Sequence, residues 1–275
     1  MSSKPYRVGQ WLPSDRNVIE KWYKNLKKEV AKEYKDKIEL ITALHPICED
    51  NEKAYLPQNE LQPHEVTALE AKELGLHPPV QALMDKILSD PEINMFFHQM
   101  FLQQKDLPDT SEGTMIWSWQ MMILYINYIM TTAPKYNKTG LVGFPINVIL
   151  NWPMATTAGF AAFLNDKVNL LFKNILNYWG EYLKSDASTS VLNDDPQSGW
   201  FGTDAMADMP NFANEFVCDP NAPHYGFTSW DNFFVRLYKE GVRPVAEPDN
   251  QYIVANACES APFQIYTNVK RRDYF

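Results

Sequence analysis

The sequence is poor in cysteine and lacks the short motifs that mark many enzyme classes. It has 3 Cys among 275 residues, too few for a disulfide framework, so a reducing, cytoplasmic location is expected. The motifs Gly-x-Gly-x-x-Gly, phosphate loop, His-Glu-x-x-His, Cys-x-x-Cys and Gly-x-Ser-x-Gly are all absent. The five histidines have no partner at metal-ligand spacing. The sequence therefore predicts no dinucleotide site, no metal site and no nucleophile elbow.

A hydrophobic run long enough to span a membrane is also missing. The most apolar stretch, residues 115–130, is 16 residues long and contains Ser118, Gln120 and Asn127, whereas a spanning helix needs about 20 apolar residues. This stretch predicts a helix buried inside a domain. Residues 1–13 contain no apolar core of the kind found in secretory signals.

Positive charge is scarce except at the N-terminal end. The net charge of −9 argues against a nucleic-acid partner, because phosphate binding needs clustered Lys and Arg. Residues 1–37, however, hold ten Lys or Arg and only five Asp or Glu. A first helix is predicted there, from Ser14 to about Tyr34. Its apolar residues recur at helical spacing: Val18, Ile19, Trp22, Leu26 and Val30.

The lysines of this first helix lie mostly on its other faces: Lys21, Lys24, Lys28, Lys32 and Lys35. Solvated surface lysines are the favoured interpretation. The alternative is a weak contact between the basic helix and an anionic membrane surface.

Helical patterns dominate about the first 250 residues of the chain, including a short helix that Ser229 is expected to begin. The clearest is residues 156–183, which predict one long helix or two. Residues 252–257 and 263–269 read instead as strands. Because two strands cannot form a stable sheet alone, the sequence is expected to stop inside a domain. The predicted fold is mainly α, a helical domain followed by the first strands of an incomplete α+β domain.

Two groups of residues could form a binding or catalytic site, but their sequence context favours a structural role. Trp117, Trp119, Tyr125 and Tyr128 could line an aromatic site, but their helical spacing is more typical of a core. The adjacent acids at 194–195 lie in a loop rich in Pro, Ser and Gly and are expected to be turn residues.

One segment resembles a known family. Residues 216–245 contain Gly226-Phe227-x-Ser229, then Phe233-Phe234-x-Arg236, then Arg243-Pro244. This order resembles the segment that leads into the catalytic domain of phosphatidylserine decarboxylases. Residues 253–260 look like the first strand of that domain. The resemblance implies three regions: a basic helix and linker over 1–62, a helical extension over 63–215, and the start of a decarboxylase domain over 216–275.

Further matches upstream resemble a fungal branch of the family that carries a helical N-terminal extension and includes tryptophan decarboxylases. They are Ala158-Gly159-Phe160-x-Ala162-Phe163, Asn169-Leu170-x-Phe172-Lys173, Trp179-Gly180 and Gly199-Trp200. The resemblance covers roughly residues 80–275.

Membership would imply a pyruvoyl-dependent lyase that acts on a small amino acid or on phosphatidylserine. In such enzymes the chain cleaves itself before a Ser, which becomes a pyruvoyl group. The substrate amine forms a Schiff base with that group, whose carbonyl is the electron sink when CO₂ leaves. None of the 11 Gly here is followed by Ser, and the family's catalytic His segment is absent. No pyruvoyl group is therefore expected in this chain, and a C-terminal catalytic portion or partner chain would have to supply it.

One candidate site residue follows from the resemblance. The family's triad Asp falls at the step occupied here by Cys258-Glu259-Ser260. Glu259 could supply this carboxylate, or it could be an ordinary turn acid; both interpretations stay open.

Two functional hypotheses remain from the sequence. In the first, the chain is the N-terminal portion of a decarboxylase and is inactive by itself. In the second, it is a complete, non-catalytic helical interaction or scaffold protein derived from the same family.

Overall fold

Helices account for the regular secondary structure in the part of the chain that the computed structural model describes, residues 16–34, 74–107, 116, 118–137, 145–255, 267 and 270–272. The α-helices are α1 Arg16–Glu33, α2 Pro78–Ser89, α3 Pro91–Gln103, α4 Trp119–Ile129, α5 Pro145–Met154, α6 Thr157–Leu164, α7 Asp166–Lys184, α8 Thr203–Asp208, α9 Phe212–Glu215 and α10 Trp230–Phe234. Short 3-10 segments span Gln104–Asp106 and Asp186–Val191, and Pro223–Gly226 forms a turn in which His224 and Tyr225 have positive φ. The mainly helical class is confirmed.

The basic helix α1 packs its apolar face into the core. Ile19, Leu26 and Val30 are buried at helical spacing. Tyr23 donates a hydrogen bond to the carbonyl of Val148 at 2.7 Å, which ties α1 to α5. Since this face is occupied, only the exposed lysine face is left for the predicted membrane contact, which stays a prediction.

Helix α4 runs through the centre of the core, as the apolar run predicted. Ser118 begins it, its hydroxyl accepting a hydrogen bond from the backbone N–H of Met121 at 3.3 Å. The buried Asn127 lies on this helix, and both the oxygen and the nitrogen of its side-chain amide form hydrogen bonds. Its oxygen accepts from the N–H of His77 at 2.7 Å, and its nitrogen donates to the hydroxyl of Tyr34 at 2.6 Å. Among the described helices, none has the length and apolar character to cross a bilayer.

Helices α2 and α3 both begin at proline, because proline's fixed φ suits the first helical turn. The order Asp90-Pro91 is typical of a helix cap, but Asp90 makes no side-chain capping bond. Its carboxylate instead contacts Lys86 at 3.2 Å and Lys167 of α7 at 3.0 Å. Asp90 therefore joins three helices through charge.

The amphipathic stretch 156–183 is two helices, so the structure decides between the two alternatives. Asn165 separates α6 from α7 with an extended backbone, φ −78° and ψ 123°, and its side chain accepts from the N–H of Lys167 at 3.0 Å. The chain turns here because Asn can satisfy a free helical N–H with its own side chain.

The predicted C-terminal strands are not supported by the described residues. Residues 252–255 have no regular structure and are exposed, and residues 256–266 lie outside the described part of the chain. The nearest feature to a sheet is an isolated antiparallel bridge between Phe216 and Tyr238. A strand forms only where a neighbour completes its hydrogen bonds, and alternation in sequence cannot supply that neighbour. The predicted region boundaries at 62 and 215 stay predictions.

Candidate functional site

The segment that carried the family resemblance folds around an aromatic cluster. Phe227 and Phe233 are buried, with ring centroids 5.5 Å apart. Ser229 begins α10, its hydroxyl accepting from the N–H of Asn232 at 3.0 Å. Gly226 has φ +81°, a backbone conformation that suits glycine. These residues form a turn, a helix cap and a core.

Arg236 completes this cluster. Its guanidinium lies over the rings of Phe216, Phe233 and Phe212, at 4.4, 4.9 and 5.3 Å from their centroids. It also donates to the carbonyl of Phe233 at 3.1 Å. Burial lowers the pKa of Arg236. Cation–π contact explains how a half-buried guanidinium is held among rings.

Arg243 is held more loosely than Arg236. It lies 5.3 Å from the ring centroid of Tyr238 and 3.8 Å from the carboxylate of Glu215. The motif residues of this segment therefore stabilise the fold, and they form no acid–base constellation.

The upstream motif residues also have structural roles. The indole N–H groups of Trp179 and Trp200 donate to the carbonyls of Thr132 and Pro134, at 2.9 and 2.8 Å. Two distant motifs thus hold one short segment after α4. At Gly159 a Cβ would lie 1.9 Å from the carbonyl oxygen of Pro153, so glycine is required where α6 begins against α5.

An open apolar groove lies between α5, α7 and α10, with a volume of about 540 Å³. Its described lining residues are Ile146, Asn147, Leu150, Phe163, Phe172, Leu176, Trp179, Leu183, Trp230, Asp231 and Phe234. Trp230 and Phe234 stack in it with centroids 5.0 Å apart and rings 15° from parallel. The backbone N–H of Trp230 donates to the buried hydroxyl of Ser188 at 2.8 Å, which holds α10 in place.

A second, more polar cavity of about 570 Å³ lies between α1 and the segment after α4. Glu29 accepts hydrogen bonds there from Tyr128 at 2.9 Å and from Lys135 at 2.8 Å. Burial and the nearby Glu29 raise the pKa of Tyr128. Tyr136 donates to the carboxylate of Asp208, and burial, with that carboxylate, raises the pKa of Tyr136 to about 12. Several polar groups of this cavity are therefore paired with one another.

The described part of the structure does not include the predicted site residue, Glu259. Its role as a triad carboxylate therefore stays a prediction. The described residues contain no group of three or more metal-ligating side chains. Asp195 is a turn residue, as expected: its carboxylate accepts from Ser198 and from the N–H of Gln197, and these hydrogen bonds lower its pKa.

Sequence reasoning did not predict the groove. The amphipathic stretch 156–183 contains Phe160, Leu164 and Leu176, which the structure leaves 65%, 65% and 50% exposed. The sequence did contain a signal for the groove, since the apolar face of α6 and α7 is wider than a single core contact requires. An apolar stripe wider than one core contact indicates a second surface to be covered.

Comparison with known proteins places the chain among decarboxylases. Residues 77–209 match the family model of phosphatidylserine decarboxylase. The chain is 33% identical over 218 residues to an L-tryptophan decarboxylase of Psilocybe cubensis, a match over 74% of this chain and 47% of that protein. It is 36% identical over 160 residues to an L-tryptophan decarboxylase of Psilocybe cyanescens, covering 54% and 36%.

A third relative is decarboxylase iboD of Amanita muscaria (strain Koide BX008), 35% identical over 139 residues, covering 48% of this chain and 39% of that protein. The chain thus matches less than half the length of each of these three curated relatives. The family model coincides with helices α2 to α8, where Gly159, Trp179 and Trp200 hold the fold together. The chain is thus similar to the phosphatidylserine decarboxylase family over residues 77–209 and, at 33% and 36% identity, to the L-tryptophan decarboxylases of two Psilocybe species.

Proposed function

We propose that this chain is the helical N-terminal portion of a pyruvoyl-dependent decarboxylase that acts on an aromatic amino acid. The observation that carries the proposal is 33% identity over 218 residues to an L-tryptophan decarboxylase. Two further decarboxylases, of Amanita muscaria and Psilocybe cyanescens, match at 35% and 36% identity. The other substrate class named by the family model, phosphatidylserine, is the alternative to an aromatic amino acid.

The catalytic carbonyl has to come from outside these 275 residues. A pyruvoyl group forms from a Ser that follows Gly, and none of the 11 Gly in this sequence is followed by Ser. The residues present therefore do not fit this prosthetic group, and no chemical step is assigned to them. Their role in the proposal is to scaffold the portion that reacts.

The surface of the helical portion supports a scaffolding role. Exposed apolar side chains concentrate over residues 217–254, where the segment resembling the entry to the catalytic domain lies. Outside the groove they are Val217, Val235, Leu237, Tyr238, Val245, Tyr252, Ile253 and Val254. Exposed apolar side chains in such number are typical of an interaction site. We assign it to contact with the catalytic portion.

The test measures CO₂ and amine from the full product of the reading frame. That product, supplied separately with L-tryptophan, L-phenylalanine and phosphatidylserine, is expected to decarboxylate an aromatic amino acid. Hydroxylamine or borohydride should abolish the activity, because both attack the pyruvoyl carbonyl. Residues 1–275 alone, as the control, should release no CO₂.

The same experiment can contradict the proposal. Release of CO₂ that neither reagent inhibits would exclude the pyruvoyl group. Absence of release from all three substrates would favour the non-catalytic scaffold instead. A chimera, in which this chain replaces the matching part of the Psilocybe cubensis enzyme, is expected to keep its activity if the helical portions are equivalent.

A further inference from the structure

The apolar groove between α5, α7 and α10 has a simple charge pattern. Its lining is aliphatic and aromatic except for Asn147 and Asp231, and the described lining residues include no Lys, Arg or His. Asp231 is the one ionisable group among them. A groove with aromatic walls and one carboxylate complements an apolar body that carries a positive charge.

We propose that this groove binds a protonated aromatic amine, with the ring between the apolar walls and the ammonium group at Asp231. The cavity of about 540 Å³ is in the range of small-molecule sites. Phe234 is 57% exposed and stacked on the buried Trp230, and its ring can attract both an aromatic body and a cation.

The groove discriminates between an amine and its parent amino acid. An amino acid adds a carboxylate, which would meet Asp231 and no compensating cation among the described lining residues. Like charges in a site of reduced dielectric repel one another. The amine lacks this carboxylate and keeps the favourable charge pair.

This inference rests on the proposed function for the choice of an aromatic ligand. Decarboxylation takes up one proton and converts the zwitterion R–CH(NH₃⁺)–COO⁻ into R–CH₂–NH₃⁺ and CO₂. The groove therefore recognises the chemical class of the product, and it is a product-binding site on the helical portion.

The test is calorimetric titration of the purified chain with a matched set of ligands at pH 7. The set is 3-phenylpropylamine, 3-phenylpropan-1-ol and 3-phenylpropanoate, which share a ring and chain but differ in charge, together with tryptamine and L-tryptophan. The amines are expected to bind at least about tenfold more tightly than the anion and the amino acid. Asp231→Asn should weaken amine binding about tenfold and leave the alcohol unchanged.

A groove-filling variant provides the second arm. Leu176→Trp, at a half-exposed position in the groove, should abolish binding, whereas Leu170→Trp, at an exposed position of the same helix outside it, should not. Thermal unfolding of both variants shows that each is folded. Equal affinities across the three charges, an unaffected Asp231→Asn variant, or no saturable binding up to about 10 mM would overturn the inference.

Tighter binding of the anion would also overturn the inference and would indicate an acid-binding groove. These outcomes are independent of CO₂ release, since they use a chain expected to be inactive. Failure of the groove and failure of the proposed function are therefore distinguishable.

Discussion

Individual residues show why sequence motifs and chemical function can diverge. Arg236 lies in the segment that most resembles the decarboxylase family, yet its guanidinium contacts three phenylalanine rings and a backbone carbonyl. Trp179 and Trp200 occur in separate motifs, yet both hold the segment after α4. Motif residues in this chain are required because of packing, and substitution should reveal them first as losses of stability.

Replacing Arg236 tests its contacts with the aromatic cluster. Arg236→Lys is expected to lower the free energy of unfolding by about 1–2 kcal/mol, because a compact ammonium cannot lie flat over three rings. Arg243→Lys is the control and should cost less than about 0.5 kcal/mol, since its contacts are exposed. Chemical denaturation measures both. Equal losses in the free energy of unfolding for the two substitutions would contradict a special role of the contacts between Arg236 and the rings.

Two glycines give a matched pair for backbone packing. Gly159→Ala should destabilise the chain by at least about 2 kcal/mol, because the new Cβ would clash with the backbone of Pro153. Gly180 in α7 has no atom within 4 Å of the corresponding position. Gly180→Ala should therefore stabilise the helix by up to about 1 kcal/mol. Thermal unfolding decides the sign of each change, and a neutral Gly159→Ala would show that α6 can shift.

Secondary-structure elements are joined by a few polar contacts as well as by the core. Asp90 connects the end of α2, the start of α3 and Lys167 of α7. Hydrogen bonds from Lys167 and Lys86 lower the pKa of Asp90 from its usual 3.8 to about 2. This interaction makes the association of the three helices dependent on pH.

The pH dependence of this contact has a definite sign. Because the folded-state pKa of Asp90 is lowered, its contribution to stability is present above about pH 4 and is lost as the pH falls towards 2. Asp90→Asn should lower the melting temperature at pH 7, and its difference from the wild type should shrink below pH 4. Melting curves from pH 2 to 7 measure this. Asp186→Asn, at an exposed position, is the control. Its melting temperature should follow that of the wild type over the same pH range.

At the scale of the whole molecule, exposed apolar side chains concentrate over residues 217–254. Residues 217–254 expose Leu237 and Val254 at 71% and 91%, and apolar surface of this extent favours association. The chain alone is therefore expected to self-associate through this surface.

Charged substitutions test this surface. Leu237→Lys combined with Val254→Lys should shift sedimentation towards the monomer without lowering the melting temperature. The control is Leu102→Lys with Leu170→Lys, at residues similarly exposed on α3 and α7, which should leave the association unchanged. Equal loss of association in both variants would show that the contact is not specific to residues 217–254.

The helices were largely predictable and the strands were not. Proline at the start of α2 and α3, Ser at the start of α4 and α10, and the spacing of Phe172, Ile175 and Trp179 are local signals. Helical hydrogen bonds close within a few residues, so such signals suffice. The predicted strand at 252–257 is not supported in the part that the structure describes, residues 252–255, because a strand depends on a neighbour that local sequence does not specify.

The sequence by itself indicated the family resemblance, the helical class and the need to bury the 115–130 run and one face of α1. It also showed that the Gly-Ser step needed to form a pyruvoyl group is absent from these 275 residues. Only the tertiary structure decided that Arg236 lies among rings, that Leu176 lines a groove, and that Asp231 shares that groove with Trp230. Such juxtapositions join residues far apart in the chain, and they arise from packing whole helices against one another, which periodicity along a single helix does not encode.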